Sequence, residues 1–164
     1  KMSKIDSVAL ATLRASLSPS ATVATPEDPG YSVSRWARNA ERPASLVACP
    51  ATNEDVVQLL AFAQGKSPYL SQKRLHVAIK GGGHNAAGAS SSDGGIVIDL
   101  EPHMRQVRVD PKAKLAYVQG GSLWRDVDQA TFPHGLASVS GVVSHTGVDL
   151  FWAEDLGGSL VNMV

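Results

Sequence analysis

Three consecutive glycines, Gly81-Gly82-Gly83, follow directly on the alternating, β-branched run Leu75-His76-Val77-Ala78-Ile79-Lys80. That run reads as a strand, and the turn after it carries no Cβ, so its backbone is free to take positive φ and to approach another group closely. The continuation, His84-Asn85-Ala86-Ala87-Gly88, adds an imidazole and a fourth glycine. Successive N–H groups of such a turn can converge on a pyrophosphate. Lys80 can add a charge to a phosphate oxygen, and His84 offers an imidazole where a bound ring would sit. On the residues alone two readings stay open: a dinucleotide-binding loop, or a tight corner in which His84 merely hydrogen-bonds a carbonyl.

The surroundings predict mixed α/β or α+β structure. Ile5, Ala9, Leu13 and Leu17 recur every four residues, the stripe of an amphipathic helix ending near Ser18-Pro19. Residues 20–43, punctuated by Pro26, Pro29, Gly30 and Pro43, read as an ordered lead-in loop. Leu46-Val47-Ala48-Cys49 reads as a strand. Thr52, three residues before Asp55, then opens a helix with Val56, Leu59, Leu60 and Ala63 on its apolar face. Gly95-Ile96-Val97-Ile98-Asp99-Leu100 reads as a buried strand, and residues 107–118 as a hairpin turning at Asp110-Pro111. Ser122 is the expected cap of a last helix carrying Leu123, Trp124, Val127 and Ala130, stopped by Pro133 and Gly135.

A nicotinamide-dinucleotide module is a competing reading. It needs a helix opening at the glycines and an acidic residue about 20 positions on. Asp99 and Glu101 partly meet the second demand, but residues 86–95 form a Ser- and Gly-rich stretch without apolar period. A long loop after Gly83 would remove this reading.

Bulk properties narrow the partners. Fifteen basic and fifteen acidic side chains cancel, so no positive field draws the chain to nucleic acid or anionic lipid. No apolar run approaches the ~18 residues of a membrane span. The single cysteine, Cys49, excludes an internal disulfide and fits a reducing compartment, so a cytoplasmic location is expected. His76, His103 and His134 read as surface or turn residues, with no metal spacing among them.

Four separated motifs then carry a resemblance: Pro50-Ala51-Thr52-Asn53-Glu54-Asp55-Val56; Lys80-Gly81-Gly82-Gly83-His84-Asn85; Gly94-Gly95-Ile96-Val97-Ile98-Asp99-Leu100; and Gly135-Leu136-Ala137 through Ser144-His145-Thr146-Gly147-Val148. In order and spacing, over roughly residues 30–148, the chain resembles the FAD-binding (PCMH-type) domain of berberine-bridge-enzyme-like and vanillyl-alcohol-oxidase-type oxidoreductases. The resemblance implies an α+β fold, a mixed sheet with flanking helices, and FAD as cofactor. It implies that Lys80, Gly81, Gly82, Gly83, His84, Asn85 and Gly88 hold the pyrophosphate side, and that His84 is tethered to the flavin's 8α-methyl carbon. Gly141, Ser144, Gly147 and Val148 would run along the other side. Some family members add a cysteine attachment; Val143 stands at that position, leaving only the histidine.

After Val148 the family pattern stops, and residues 149–164 read as a divergent tail of an apparently truncated domain, with a new helix expected over residues 150–163. Full-length relatives would oxidise alcohol, amine or carbon–nitrogen substrates with oxygen. Here the substrate domain is expected to be missing, so no catalytic base is named, and self-association through an uncovered sheet edge is expected. The alternative is a non-enzymatic remnant or interaction module of the same fold.

Overall fold

A computed structural model describes residues 5–148. The expected helix over residues 150–163 and the tail lie outside the described residues. Helix α1 (Ser7–Ser16) starts where the Asp6 carboxylate accepts the Ala9 N–H, and it buries Ala9 and Leu13. Strand β2 (Leu46–Cys49) leads into helix α2 (Asn53–Gln64), followed by β3 (Val77–Lys80) and β4 (Ile96–Asp99). The helix start at Thr52 is as the sequence reads: Thr52 Oγ1 accepts the Asp55 N–H, and the Asp55 carboxylate accepts the Thr52 N–H. Gly65, at φ +63°, closes the other end in the left-handed conformation that glycine adopts without strain.

One expectation is corrected here. The lead-in segment is not all loop: Thr22–Ala24 forms a strand, β1, and Arg38–Ala40 a short 3-10 turn. β1 lies antiparallel to β2, with Thr22 opposite Cys49 and Ala24 opposite Val47. Three residues between a Ser-Pro and a Thr-Pro pair are too few for periodicity to register. The sheet order is β1-β2-β4-β3, the last three strands parallel, with Val47 and Ala78 both level with Val97.

The sheet is covered on both sides. Leu46, Ala48, Ile96 and Ile98 face α1 and α2, where Leu13, Leu59 and Phe62 are fully buried. Each such side chain contributes roughly 1.5–3 kcal/mol relative to exposure. Val47, Ala78 and Val97 face the opposite way, under Tyr31 and Val33 of the lead-in segment. Burial on both faces explains why β4 reads as an unbroken apolar run.

A smaller body follows: the hairpin of β5 (Val107–Asp110) and β6 (Leu115–Val118), then α3 (Trp124–Thr131). The Asp110 carboxylate accepts the N–H groups of Lys112 and Ala113, which makes the turn. Ser122 does not cap α3; Leu123 holds the cap position, and the Asp126 carboxylate accepts its N–H. The carboxylate one turn inside the helix, already oriented by Arg105, takes the role expected of the hydroxyl.

Candidate functional site

The glycine turn leaves the C-terminal end of β3, and a second segment, residues 141–148, comes back against it. Gly147 pairs with Leu123 in an isolated antiparallel bridge. The Trp124 N–H donates to the Thr146 carbonyl, the Arg125 N–H to that of Ser144, and the Val148 N–H to that of Ser122. A Cβ on Gly82 would collide with the Gly147 backbone and press on the Leu123 side chain. At Gly82 the two segments therefore meet backbone to backbone, and only glycine fits at that position.

Gly83 and Gly88 take φ +67° and +89°. No helix follows Gly83: residues 81–94 are turns and extended backbone, which removes the nicotinamide-dinucleotide reading. Asn85 shapes this loop, its carbonyl accepting the Gly88 N–H and its side-chain oxygen the Ala89 N–H.

His84 lies at the meeting point. Its ring stacks on Trp36, centroids 5.3 Å apart with planes 16° from parallel, and meets His145 edge-on at 4.6 Å. Its Nδ1 pairs with the Thr146 hydroxyl at 3.4 Å. The Trp36 N–H donates to the Gly83 carbonyl, tying the lead-in segment to the turn. Trp36 is nonetheless 65% exposed, so the Trp36–His84–His145 group forms an open aromatic wall.

The remaining sequence-chosen residues divide. Val148 is buried with Trp124 and Val127 in the core of the smaller body. Gly141 packs on the Trp124 indole, whose nitrogen would stand 3.0 Å from an added Cβ. Ser144 is exposed. Lys80 donates to the Gly81 carbonyl, to Asp99 at 3.1 Å and to Glu101 at 3.0 Å. Glu101 also meets Arg105, which holds Asp126 with a two-pronged grip. Asp99 and Glu101, weighed for the nicotinamide reading, thus belong to a charge chain running from β3 to α3. Burial pushes the Asp99 carboxyl above its ordinary range, with the Lys80 ammonium opposing that shift.

Residues sequence reasoning did not select also gather here. Arg35 is buried beneath the turn, donating to the carbonyls of Ser34 and Ser90. Its Nε and the hydroxyls of Ser90 and Ser91 are buried without hydrogen-bond partners. A polar, Cβ-free cradle with orphaned donors suits a phosphate-bearing ligand.

A family model for an FAD binding domain matches residues 44–149. The chain belongs to the FAD-binding domain family. Its cofactor is FAD, and the fold is the PCMH type expected from the motifs. The chain is 35% identical over 125 residues to an FAD-linked oxidoreductase, pgmH, of Aspergillus terreus, covering 76% of this chain and 24% of that protein. It is 29% identical over 134 residues to (R)-6-hydroxynicotine oxidase of Paenarthrobacter nicotinovorans, covering 80% and 27%. The crystal structure of 6-hydroxy-D-nicotine oxidase from Arthrobacter nicotinovorans superposes with a TM-score of 0.69 over 79% of this chain and 27% of that one. A berberine-bridge-enzyme-like protein of Physcomitrella patens, 20% identical, shares the fold at a TM-score of 0.71 over 85% and 29%. The chain thus spans about a quarter of the length of the relatives it matches. Among the described residues, no helix is long and apolar enough to cross a membrane, and no acidic, His or Cys cluster is arranged to hold a metal ion.

Proposed function

We propose that this FAD-binding domain holds the cofactor between the turn at residues 81–88 and the segment at residues 141–148, with His84 as its covalent attachment point. The observation that carries the proposal is the position of His84. It stands at the closure of the two segments, with a stacked face, an edge-on neighbour and a hydroxyl on Nδ1. A ring held from three directions is pre-oriented, which lowers the entropic cost of forming one bond in one geometry. Bound flavin would supply two-electron redox chemistry and, at its 8α-methyl carbon, an electrophilic position for a histidine nitrogen. The His84 imidazole would be the nucleophile, with the Thr146 hydroxyl on Nδ1 holding its ring.

The reading extends to the whole protein as an oxidoreductase acting on a small-molecule alcohol, amine or carbon–nitrogen substrate with oxygen as acceptor. The names of the relatives support this: a nicotine oxidase among the curated proteins, and, among the structures sharing the fold, a glucooligosaccharide oxidase of Acremonium strictum with a 6-S-cysteinyl, 8α-N1-histidyl FAD. Val143 stands where a second, cysteine attachment would need a thiol.

The test is the visible spectrum of the purified chain before and after acid precipitation, beside His84→Ala. Yellow colour that stays with the wild-type pellet and leaves the variant's pellet supports attachment at His84. Colour released from both means FAD bound without a bond, and a folded, colourless chain favours a module that has lost flavin.

A further inference from the structure

A Cβ built on Gly83 would meet two basic side chains, Lys80 at 3.1 Å and Arg35 at 3.3 Å. The two are placed differently. The Lys80 ammonium has two carboxylates and a carbonyl around it, one acceptor for each of its three N–H bonds. Arg35 is only 7% exposed, and among the described residues no carboxylate lies within 4.0 Å of its guanidinium. It donates to two neutral carbonyls, Ser34 at 2.8 Å and Ser90 at 2.6 Å, and its Nε has no partner. Asp99 and Glu41 reach it only at longer range, and burial pulls its pKa below the usual range for arginine. Beside it the Ser90 and Ser91 hydroxyls are 5% and 8% exposed residues' donors with no acceptor.

A buried cation without a contact counter-ion is costly and is normally compensated by an anion. Arg35 lies against the glycine turn at Gly83, and Trp36, the next residue, bonds that turn directly. We infer that Arg35 is the cation that serves the diphosphate of the bound dinucleotide, acting from beneath the glycine turn, whereas Lys80 is a structural ion-pair residue. The inference rests on the FAD reading and assigns its anion-binding charge to a residue the glycine motif does not contain. Arg35 ties the lead-in segment to Ser90 just after the turn, and its unneutralised charge attracts the phosphates gathered by the backbone of the turn. The buried Ser90 and Ser91 hydroxyls, in the segment that Arg35 bonds, also lack a partner.

The experiment uses the whole chain and inorganic pyrophosphate as probe, read by thermal melting, with FAD binding followed separately by flavin fluorescence. Pyrophosphate should raise the wild-type melting temperature and compete with FAD. Arg35→Gln, folded by circular dichroism, should lose that shift and bind FAD about 10- to 100-fold more weakly, the range for losing a charged hydrogen-bonding partner. Arg35→Lys should restore part of the shift, and Lys80→Gln, whose amide still donates to Asp99, should keep it. The inference is overturned if Arg35→Gln binds pyrophosphate like the wild type, or if Arg35→Gln fails to fold and Lys80→Gln, folded, has lost the shift. FAD binding that ignores Arg35 leaves the cofactor reading intact and removes this one. Pyrophosphate binding that needs Arg35 in a chain without FAD affinity does the reverse.

Discussion

The two bodies that form the proposed cofactor site are built to different standards. Among the described residues, the sheet body has a main core of eleven buried residues, from Ala9 and Leu13 through Phe62 and Tyr69 to Ile98, whereas the hairpin and α3 close over three: Trp124, Val127 and Val148. One wall of the site, the glycine turn, is the direct continuation of a strand in the first body. The other, residues 141–148, is held by three backbone hydrogen bonds and a shallow cluster. A well-cored element carries His84, the proposed attachment point, and a lightly held one closes against it. Local stability follows buried apolar contacts, so the second wall is the part a ligand has most room to order.

Core substitutions test that contrast most strongly. Phe62→Ala should cost about 3–5 kcal/mol in urea unfolding, against roughly 2 kcal/mol for Val127→Ala. Equal costs would mean that the two bodies share one core. Asp55 gives the next largest effect. Burial pushes its carboxyl up, but four donors outweigh that: the Ser18 hydroxyl and the N–H groups of Ser18, Ala51 and Thr52, which hold it at about 2. A folded pKa below the ordinary 3.8 stabilises the protein above that pH, and the contribution declines as pH falls from there toward about 2. Asp55→Asn should therefore remove about 2.5 kcal/mol at neutral pH and flatten the acid limb of a stability–pH curve. An unchanged acid limb would place the acid sensitivity elsewhere.

Gly82→Ala sharpens the comparison from the other side. Its added methyl meets the Gly147 backbone, so the walls must separate while the sheet core stays intact. FAD affinity should fall about 10-fold or more, ~1.4 kcal/mol, with little change in the urea midpoint. A full-strength binder would show that the walls need not touch. The smallest effect is expected at the joint between the bodies: Arg105→Gln removes a partly exposed ion pair with Asp126 and should cost within about 1 kcal/mol.

Much of the first body was legible in the sequence because its signals are local. Thr52 and Asp55 cap a helix three residues apart, and Ile96-Val97-Ile98 is apolar on both faces because both are covered. β1 was hidden because three residues carry no period and its pairing is with residues about 25 positions away. Within the site, Gly82, Gly83 and His84 could be chosen because missing Cβ atoms and an imidazole are visible one residue at a time. Arg35 and Trp36 could not, since their link to the turn runs across some 50 positions of chain. The same distance explains Lys80: its position beside the glycines suggests a phosphate, whereas the strand register sets it level with Asp99.

The most direct test of a cofactor held between a firm wall and a yielding one is amide hydrogen exchange of the whole chain, resolved by peptide, with and without FAD. Binding should slow exchange at residues 81–92 and 141–148, with the larger gain at 141–148, and leave α1 and α2 unchanged. Protection confined to other segments, or none with FAD in excess, would contradict the account.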